Sequence, residues 1–426
     1  MANAPRKLLI TTWEGGGSVG PALTVARKLV DAGHDVRVMS DECNRAEAAK
    51  AGARFVPWTR APSRKDRSKE SEVLRDWESA DMAESFKRVV DQLVAGPSLR
   101  YAEDTIEELR KEPADLVVSN ELLLGVMAGC EAIGTPFAMM PVNSMLMTVK
   151  GAIEMGMLQH FEANPPSDPG DQMKFAVVSA MQACFMHGLE AMNATRAALG
   201  LPPIAHLFEQ FVPAKKVLLA VSPAFDFVPA QIPPNFSYIG AQLDDPAWTA
   251  PWQSPWPADD PRPLVLVGFS TTFQNQTALL QAAIDALGTL PVRGLVTLGP
   301  TIAVEELNAP ANVEIVPSAP HGEVMKQASL VITHGGFGTL AKALANRLPA
   351  LVMPQGRDQG GNAEKLMAHG AGLALPPTAD SATIAGAVEK LLADPAYAAA
   401  AGKLGEAIER EMRESAVVSE LEALAA

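Results

Sequence analysis

The sequence predicts an α/β protein made of two β/α domains, each built on a parallel sheet. Three observations carry this. Short apolar, β-branched runs alternate with helical stretches in both halves of the chain, and a β-α-β alternation builds parallel sheets. The chain has 426 residues, too many for one ordinary core. A stretch rich in Pro, Trp and Asp, from Gln242 to Pro263, separates two similar halves. The expected division is residues 1–241, a linker at 242–262, residues 263–405 and a closing helical segment at 406–426.

Composition narrows the class. Hydrophobic residues make up 48% of the chain and charges of both signs are present, as in a globular protein. A net charge of −14 argues against general binding of nucleic acid or anionic membrane, although one local anion site stays open. Cys43, Cys130 and Cys184 are far apart and have no paired spacing. They suggest neither a disulfide framework nor a zinc site, and fit a reducing, cytoplasmic setting. The seven histidines show no ligand spacing, so no metal site is expected. The start, Met1 to Lys7, precedes only a short apolar run and does not read as a signal peptide. The most apolar stretch, Leu122 to Val142, is broken by Glu131, Gly134 and Pro136, and reads as core rather than a membrane span.

In the first half, Lys7 to Thr12 reads as a strand, Trp13 to Pro21 as a loop, and Ala22 to Ala32 as a helix stopped by Gly33. His34 to Ser40 and Ala53 to Pro57 are further strands. Arg60 to Lys69 is basic and leads into a polar helical stretch ending near Val94. The favoured reading is a solvated face, the other a lid over a substrate. Leu99 to Lys111 is a helix, Ala114 to Ser119 a strand, Leu122 to Ile133 a helix and Pro136 to Pro141 a strand. A methionine-rich stretch follows, with Met139, Met140, Met145, Met147, Met155 and Met157, then Met173, Met181, Met186 and Met192. Methionine suits irregular cores, or a pliable pocket for a greasy ligand. Lys216 to Val221 and Phe236 to Gly240 close the first sheet.

In the second half, Pro263 to Gly268 is a strand leading to Ser270 and Thr271. Gln276 to Gly288 is a helix, with Gly294 to Leu298 and Val313 to Val316 as strands. Ser381 to Ala393 and Ala396 to Leu424 are closing helices. Asp244-Asp245 and Asp259-Asp260 precede prolines and read as turns.

The second half is organised around His334-Gly-Gly-Phe-Gly-Thr339. A strand, Ala328 to Thr333, enters the turn, and a helix, Leu340 to Asn346, leaves it. The free amides and dipole of a helix start favour an anion, and glycines let a phosphate come close. The next strand, Leu348 to Pro354, runs into the polar cluster Gln355-Gly-Arg-Asp-Gln-Gly-Gly-Asn-Ala363.

Together with His369-Gly-Ala-Gly372, this composite from Pro317 to Gly372 resembles the donor signature of inverting nucleotide-sugar glycosyltransferases of the GT-B fold. Plant UDP-glycosyltransferases and bacterial natural-product and macrolide glycosyltransferases are of this kind. The resemblance implies two Rossmann-like domains facing a cleft, with the C-terminal helix crossing back to the N-domain. It implies transfer of a hexose from a UDP- or dTDP-sugar to a hydrophobic small molecule, phenolic or polyketide-like, with no cofactor and no metal. His334, Gly335, Gly336, Gly338 and Thr339 would then hold the diphosphate. Ser270 and Thr271 would reach the outer phosphate, Ala319 and His321 the base, and Asp358 and Gln359 the sugar hydroxyls, with Asn362 supporting that loop. Two positions depart from the plant pattern. Ser318 stands where a tryptophan stacks on the base, and Lys342 where a glutamate holds the ribose.

The first half is expected to hold the acceptor, through Trp13, Met140, Asn143 and Met147. Its first loop, Gly17-Ser-Val-Gly-Pro21, has Ser18 at the place of the family's catalytic histidine. Asn120 stands at the place of the aspartate that orients it. A serine hydroxyl is too weak a base at neutral pH, which leaves Glu14 or Glu121 as the base, or an acidic acceptor such as a phenol that needs mainly positioning. Glu14 is the first choice.

Two other readings stay open. With both dyad positions changed, the chain could be a non-catalytic nucleotide-sugar-binding homologue. Alternatively, Gly15-x-Gly17-x-x-Gly20 with Asp41 resembles a dinucleotide fingerprint, although Asp41 lies past the usual offset of ~20 residues. That pattern would make the chain an NAD-dependent oxidoreductase. A monomer or a homodimer is expected.

Overall fold

The computed structural model describes residues 4–143, 186–228, 232–246 and 248–426, together with isolated residues between 167 and 183. Among these residues the chain forms two parallel sheets. The first holds β1 (Lys7–Thr11), β2 (Asp35–Ser40), β3 (Arg54–Pro57), β4 (Leu116–Ser119), β5 (Phe137–Met139), β6 (Val217–Leu219) and β7 (Phe236–Tyr238). Their spatial order is β3-β2-β1-β4-β5-β6-β7. The second holds β8 (Leu264–Gly268), β9 (Arg293–Thr297), β10 (Val313–Val316), β11 (Leu330–Thr333), β12 (Ala350–Val352) and β13 (Gly372–Ala374), in the order β10-β9-β8-β11-β12-β13. The residues explain the pattern. Strands such as Leu-Val-Leu-Val in β8 and Leu-Val-Ile-Thr in β11 are buried at every position, as expected when helices cover both faces of a sheet.

Both sheets reverse direction beside their first strand, between β1 and β4 and between β8 and β11. Ligands of open α/β sheets bind outside the carboxyl ends of strands at such switch points. The carboxyl ends of β1, β4, β8 and β11 lead into Trp13-Glu14, Asn120-Glu121, Phe269-Ser270 and His334-Gly335. The fold therefore delivers the segments picked out from the sequence to two facing edges.

Some elements differ from expectation. The first helix runs Val19–Asp31 and starts before Pro21, because a proline in the first helical turn lacks only an N–H that would be unpaired anyway. The helix after the glycine turn is Phe337–Ala345, so it begins inside the turn, with Gly336 as its N-cap. The polar cluster continues as a helix from Gln359 to Ala368.

The single closing helix expected from Ala396 to Leu424 is two helices, Pro395–Arg413 and Val417–Leu424. The break is imposed by docking: Ser415 Oγ donates to the Ile239 carbonyl at 2.6 Å. The last helix crosses back to the first domain, where Val417 and Leu421 are buried among Leu8, Ile10, Val25 and Leu29. Ser222 Oγ donates to Glu411 at 2.6 Å, Ser237 Oγ to Glu420 at 2.8 Å, and His34 pairs with Glu422 at 3.0 Å. No described helix is long and apolar enough to cross a membrane.

Candidate active site

A cavity of about 350 Å³ lies between the two switch points. Its second-domain wall includes Ser270, Thr271, Ala319, His321, His334, Gly336, Gly338, Thr339, Asp358 and Gln359. Its first-domain wall includes Trp13, Gly15, Gly16, Gly17, Ser18, Glu121 and Asn143.

On the second-domain wall, backbone geometry dictates the residue types. Gly335 has φ +95°, and a Cβ there would lie 2.6 Å from Val352 Cγ1. A Cβ on Gly336 would lie 2.6 Å from His334 Nε2, so the imidazole sits against the bare start of the Phe337–Ala345 helix. Burial, with a smaller contribution from Arg357, pushes the His334 imidazole down to about 3. Burial beside Lys342 pushes His321 down to about 4, and its ring nitrogen meets Thr297 Oγ1 at 2.9 Å. Both rings are neutral at pH 7. Positive potential at this wall comes from the helix end and from Arg357 and Lys342 rather than from imidazolium.

The loop around Asp358 is braced from inside. Asn362 Nδ2 donates to the Gly335 carbonyl at 3.0 Å and to Asp358 Oδ2 at 2.8 Å. Gln359 is buried: its Oε1 accepts from Gln355 N–H at 2.7 Å, and its Nε2 donates to Gln274 at 3.0 Å. The Gln359 amide is thus already engaged within the loop. Ser270 Oγ and Thr272 Oγ1 are 2.9 Å apart, and Gln276 Nε2 donates to the carbonyls of both residues. Thr271 reaches across to the first domain: a Cβ on Gly16 would lie 2.8 Å from its Oγ1.

On the opposite wall, Ser18 is the N-cap of the Val19–Asp31 helix but its hydroxyl makes no capping bond. Asn120 braces its own turn, its Oδ1 accepting from Leu122 N–H at 3.0 Å, while its buried Nδ2 has no hydrogen-bond partner among the described residues. Among the described residues no hydrogen bond joins Ser18 to Asn120. Glu121 is buried and faces the cleft, Asn143 Nδ2 donates to its Oε1 at 3.4 Å, and its Oε2 has no hydrogen-bond partner among the described residues. Burial pushes the Glu121 carboxyl up to about 8, against the pull of backbone amides, and the charge of Asp358 adds to the rise. Glu14 is also buried, but its Oε2 is held by Arg67 Nε at 3.0 Å and its Oε1 accepts from Gly16 N–H at 3.2 Å.

Three expectations need correction. Met140 does not reach the cleft. Strand alternation sends Met139 and Met140 into two different cores, where Met140 packs with Leu218 and Ala220. The Arg60–Lys69 stretch is only partly a solvated face: Arg60, Lys65, Asp66 and Lys69 are exposed, but two of its arginines turn inward. Arg64 is buried against Glu72 at 2.8 Å, and Arg67 pairs with Glu14 and with Glu47 at 2.9 Å. The chain then crosses to the second domain, placing Lys69 Nζ 3.9 Å from the Phe273 ring and Asp76 2.8 Å from Arg357 Nε. Asp41 is buried and accepts from the amides of Glu14 and Arg64, both at 2.8 Å. It clamps the loop from beneath, so it is not placed to meet a dinucleotide ribose. Met147 lies outside the described residues, as do Met145, Met155, Met157, Met173, Met181 and Cys184.

Residues missed in the sequence complete the cleft. Leu74, Phe86, Val89, Val90 and Val94 form an apolar face on the first-domain side. Most come from the Met82–Val89 helix and the π-turn Val90–Val94 that ends it. The signal available was the apolar spacing of Phe86, Val89, Val90 and Leu93 inside a stretch that reads as polar. Arg357, at φ +55°, donates to Thr272 Oγ1 at 3.1 Å beside Gly15. The carboxylate of Asp245 and the ammonium of Lys342 meet at 2.7 Å. No group of His, Cys, Asp or Glu among the described residues is arranged to hold a metal.

Residues 282–424 match the family described as Erythromycin biosynthesis protein CIII-like, C-terminal domain. The chain is 25% identical over 423 residues to 4'-demethylrebeccamycin synthase of Lentzea aerocolonigenes, covering 93% of this chain and 94% of that protein. It is 33% identical over 180 residues to the oleandomycin glycosyltransferase of Streptomyces antibioticus, or 41% of this chain and 40% of that one. Among solved structures, the glycosyltransferase of kitacinnamycin superposes with a TM-score of 0.74 at 20% identity, over 99% of each chain. A spinosyn forosaminyltransferase superposes with a TM-score of 0.71 at 21% identity, over 99% of this chain and 100% of that one. The chain is a homologue of the natural-product glycosyltransferases, on the GT-B fold. Within this GT-B frame, the matched segment 282–424 takes in the wall from Ala319 to Gln359. Ser270, Thr271 and the whole opposing wall lie outside it.

Proposed function

We propose that the protein is an inverting glycosyltransferase that moves a hexose from a UDP- or dTDP-linked donor to a hydrophobic small molecule, phenolic or polyketide-like. One observation carries this reading: Glu121, a buried acid with one oxygen that no described residue engages, and the bare start of the Phe337–Ala345 helix line the same cleft. The apolar face of Leu74, Phe86, Val89 and Val90 suits a greasy acceptor beside Trp13 and Asn143.

In this reading the diphosphate rests on the amides of Phe337, Gly338 and Thr339, with the hydroxyls of Ser270, Thr271 and Thr339 around it. The acceptor O–H gives its proton to the Glu121 carboxylate while its oxygen bonds to the anomeric carbon from the opposite face. The bond from that carbon to the diphosphate oxygen breaks, and its electron pair stays on the diphosphate. Helix dipole and hydroxyls take up the developing charge, so no metal or other cofactor is needed. A carboxyl raised to about 8 is better matched to a phenol of pKa about 10 than an ordinary one. Ser18, at the helix N-cap, positions the acceptor rather than taking its proton, and Asn120 fixes the turn that presents Glu121. A monomeric or homodimeric cytoplasmic protein fits the scattered thiols and acidic surface.

The direct test is incubation with UDP-glucose and dTDP-glucose and a panel of phenols, followed by mass spectrometry. A hexose increment on any phenol supports the reading. Donor binding with neither product nor donor hydrolysis supports the second reading, a non-catalytic binding protein, which the hydroxyl and amide at Ser18 and Asn120 favour.

A further inference from the structure

The linker is built into the cleft. Asp245, Pro246, Trp248 and Thr249 line the same cavity as Ser318 and Ala319, and Ala250 N–H donates to Ser318 Oγ at 3.1 Å. Asp245 is fixed from two sides. Lys342 Nζ donates to its Oδ1 at 2.7 Å, and Gly322 N–H to its Oδ2 at 3.0 Å. Lys342 is held in turn by the Asp244 carbonyl at 2.7 Å. Gly322 permits this approach, because a Cβ there would lie 2.7 Å from Asp245 Oδ2.

Among the described residues four carboxylates line the cavity: Glu121, Asp244, Asp245 and Asp358. Glu121 and Asp358 interact at the proposed reacting centre, and Asp244 is paired with Arg27 at 2.9 Å. Asp245 is the carboxylate placed at the Ser318–His321 end. Its side chain keeps 25% of its exposure, and an ionised carboxylate can accept about four hydrogen bonds. Lys342 lies three residues beyond Thr339 on the same helix, one turn or ~5 Å further along. A group anchored by Lys342 therefore sits one short step past the helix start. In a nucleoside diphosphate the pentose is attached at that step from the phosphates.

We infer that Asp245, presented by the linker and held by Lys342 and Gly322, receives the pentose hydroxyls of the nucleoside diphosphate. The inference rests on the donor reading above and assigns its nucleoside end. The free hydroxyls of the pentose, two in UDP and one in dTDP, suit a fixed carboxylate, and such charge-assisted bonds are the strong ones. The ion pair also makes nucleotide recognition depend on the linker, which joins the domains.

The test uses calorimetric titration of the full chain with UDP and dTDP, and with their analogues lacking the pentose hydroxyls, 2′,3′-dideoxy-UDP and 3′-deoxy-dTDP. The wild type is expected to prefer the better-bound parent nucleotide over its analogue by roughly ten-fold or more. D245N is expected to shrink that preference to about two-fold. K342M keeps part of it, because the Gly322 amide still holds the carboxylate, and serves as the control for loss of the tether alone. A preference undiminished in D245N, or absent from the wild type, overturns the assignment and leaves Asp245 as an interdomain strut. If the wild type binds neither UDP nor dTDP, the donor reading itself falls, a result visible before any variant is made.

Discussion

Arg67 Nε lies 3.0 Å from Glu14 Oε2, and its Nη2 lies 2.9 Å from Glu47. The acid at the end of β1 is therefore committed to an arginine from the lid-like segment, whereas Glu121, at the end of β4, has an oxygen with no partner among the described residues. To take a proton, Glu14 would first have to give up its ion pair. This reverses the order of candidates drawn from the sequence, where Glu14 stood first.

The two acids should separate cleanly on substitution. Glu121→Gln is expected to lower kcat by about 10²- to 10⁴-fold, the usual weight of a general base, with little change in donor KM. Glu14→Gln is expected to keep kcat within about ten-fold but to melt earlier, since removing one partner of a buried pair costs about 3–5 kcal/mol. Steady-state kinetics and thermal melts on both variants check this.

The pH dependence follows from the Glu121 carboxyl at about 8. Activity with a phenolic acceptor should climb with pH and level off above about 8 as the carboxylate forms. Stability runs the other way. A carboxyl whose folded pKa lies above its unfolded value, about 4.3, stabilises the fold fully below the unfolded pKa. That contribution is lost as pH rises through the folded pKa. Glu121→Gln should therefore melt higher than the wild type at pH 8.5 and lose that advantage at pH 4.5, as scanning calorimetry would show.

Donor binding should ignore imidazole titration. His334 and His321 are pushed down to about 3 and about 4 by burial, so neither gains charge between pH 5.5 and 7.5. The affinity for an intact nucleotide sugar, measured by calorimetry, is expected to be flat over that range. A marked rise on acidification would mean that an imidazolium holds the diphosphate after all.

Gly335→Ala is expected to cost about 1–3 kcal/mol and to weaken nucleotide binding. Its φ of +95° is poorly tolerated by other residues, and the new methyl would press on Val352 Cγ1 from 2.6 Å. Urea melts and nucleotide titration measure the two effects.

Local chemistry was legible in the sequence and distant chemistry was not. The glycine turn and its flanking strand and helix follow from neighbouring residues, and Asn362 was already expected to support its loop. Arg67 and Glu14 are 53 residues apart, and Lys342 and Asp245 are 97 apart. Only the sheet order brings these pairs together, so a basic stretch read as solvated pairs with Glu14 behind the cleft, and a linker read as turns lines it. Met140 was misplaced because a sequence shows that a side chain is apolar but not which face of its strand it takes. The break at Ser415 carries no glycine or proline, and it exists because the first domain offers the Ile239 carbonyl there.

The last helix, Val417–Leu424, is sequence from one end of the chain that serves the core at the other. Anyone joining the acceptor half of one relative to the donor half of another therefore has three segments to place, not two. Residues after Glu414 should come from the parent that supplies residues 1–241, because Leu421, Glu420 and Glu422 fit its surface. A hybrid cut only at the linker would inherit a tail shaped for a neighbour that is no longer there.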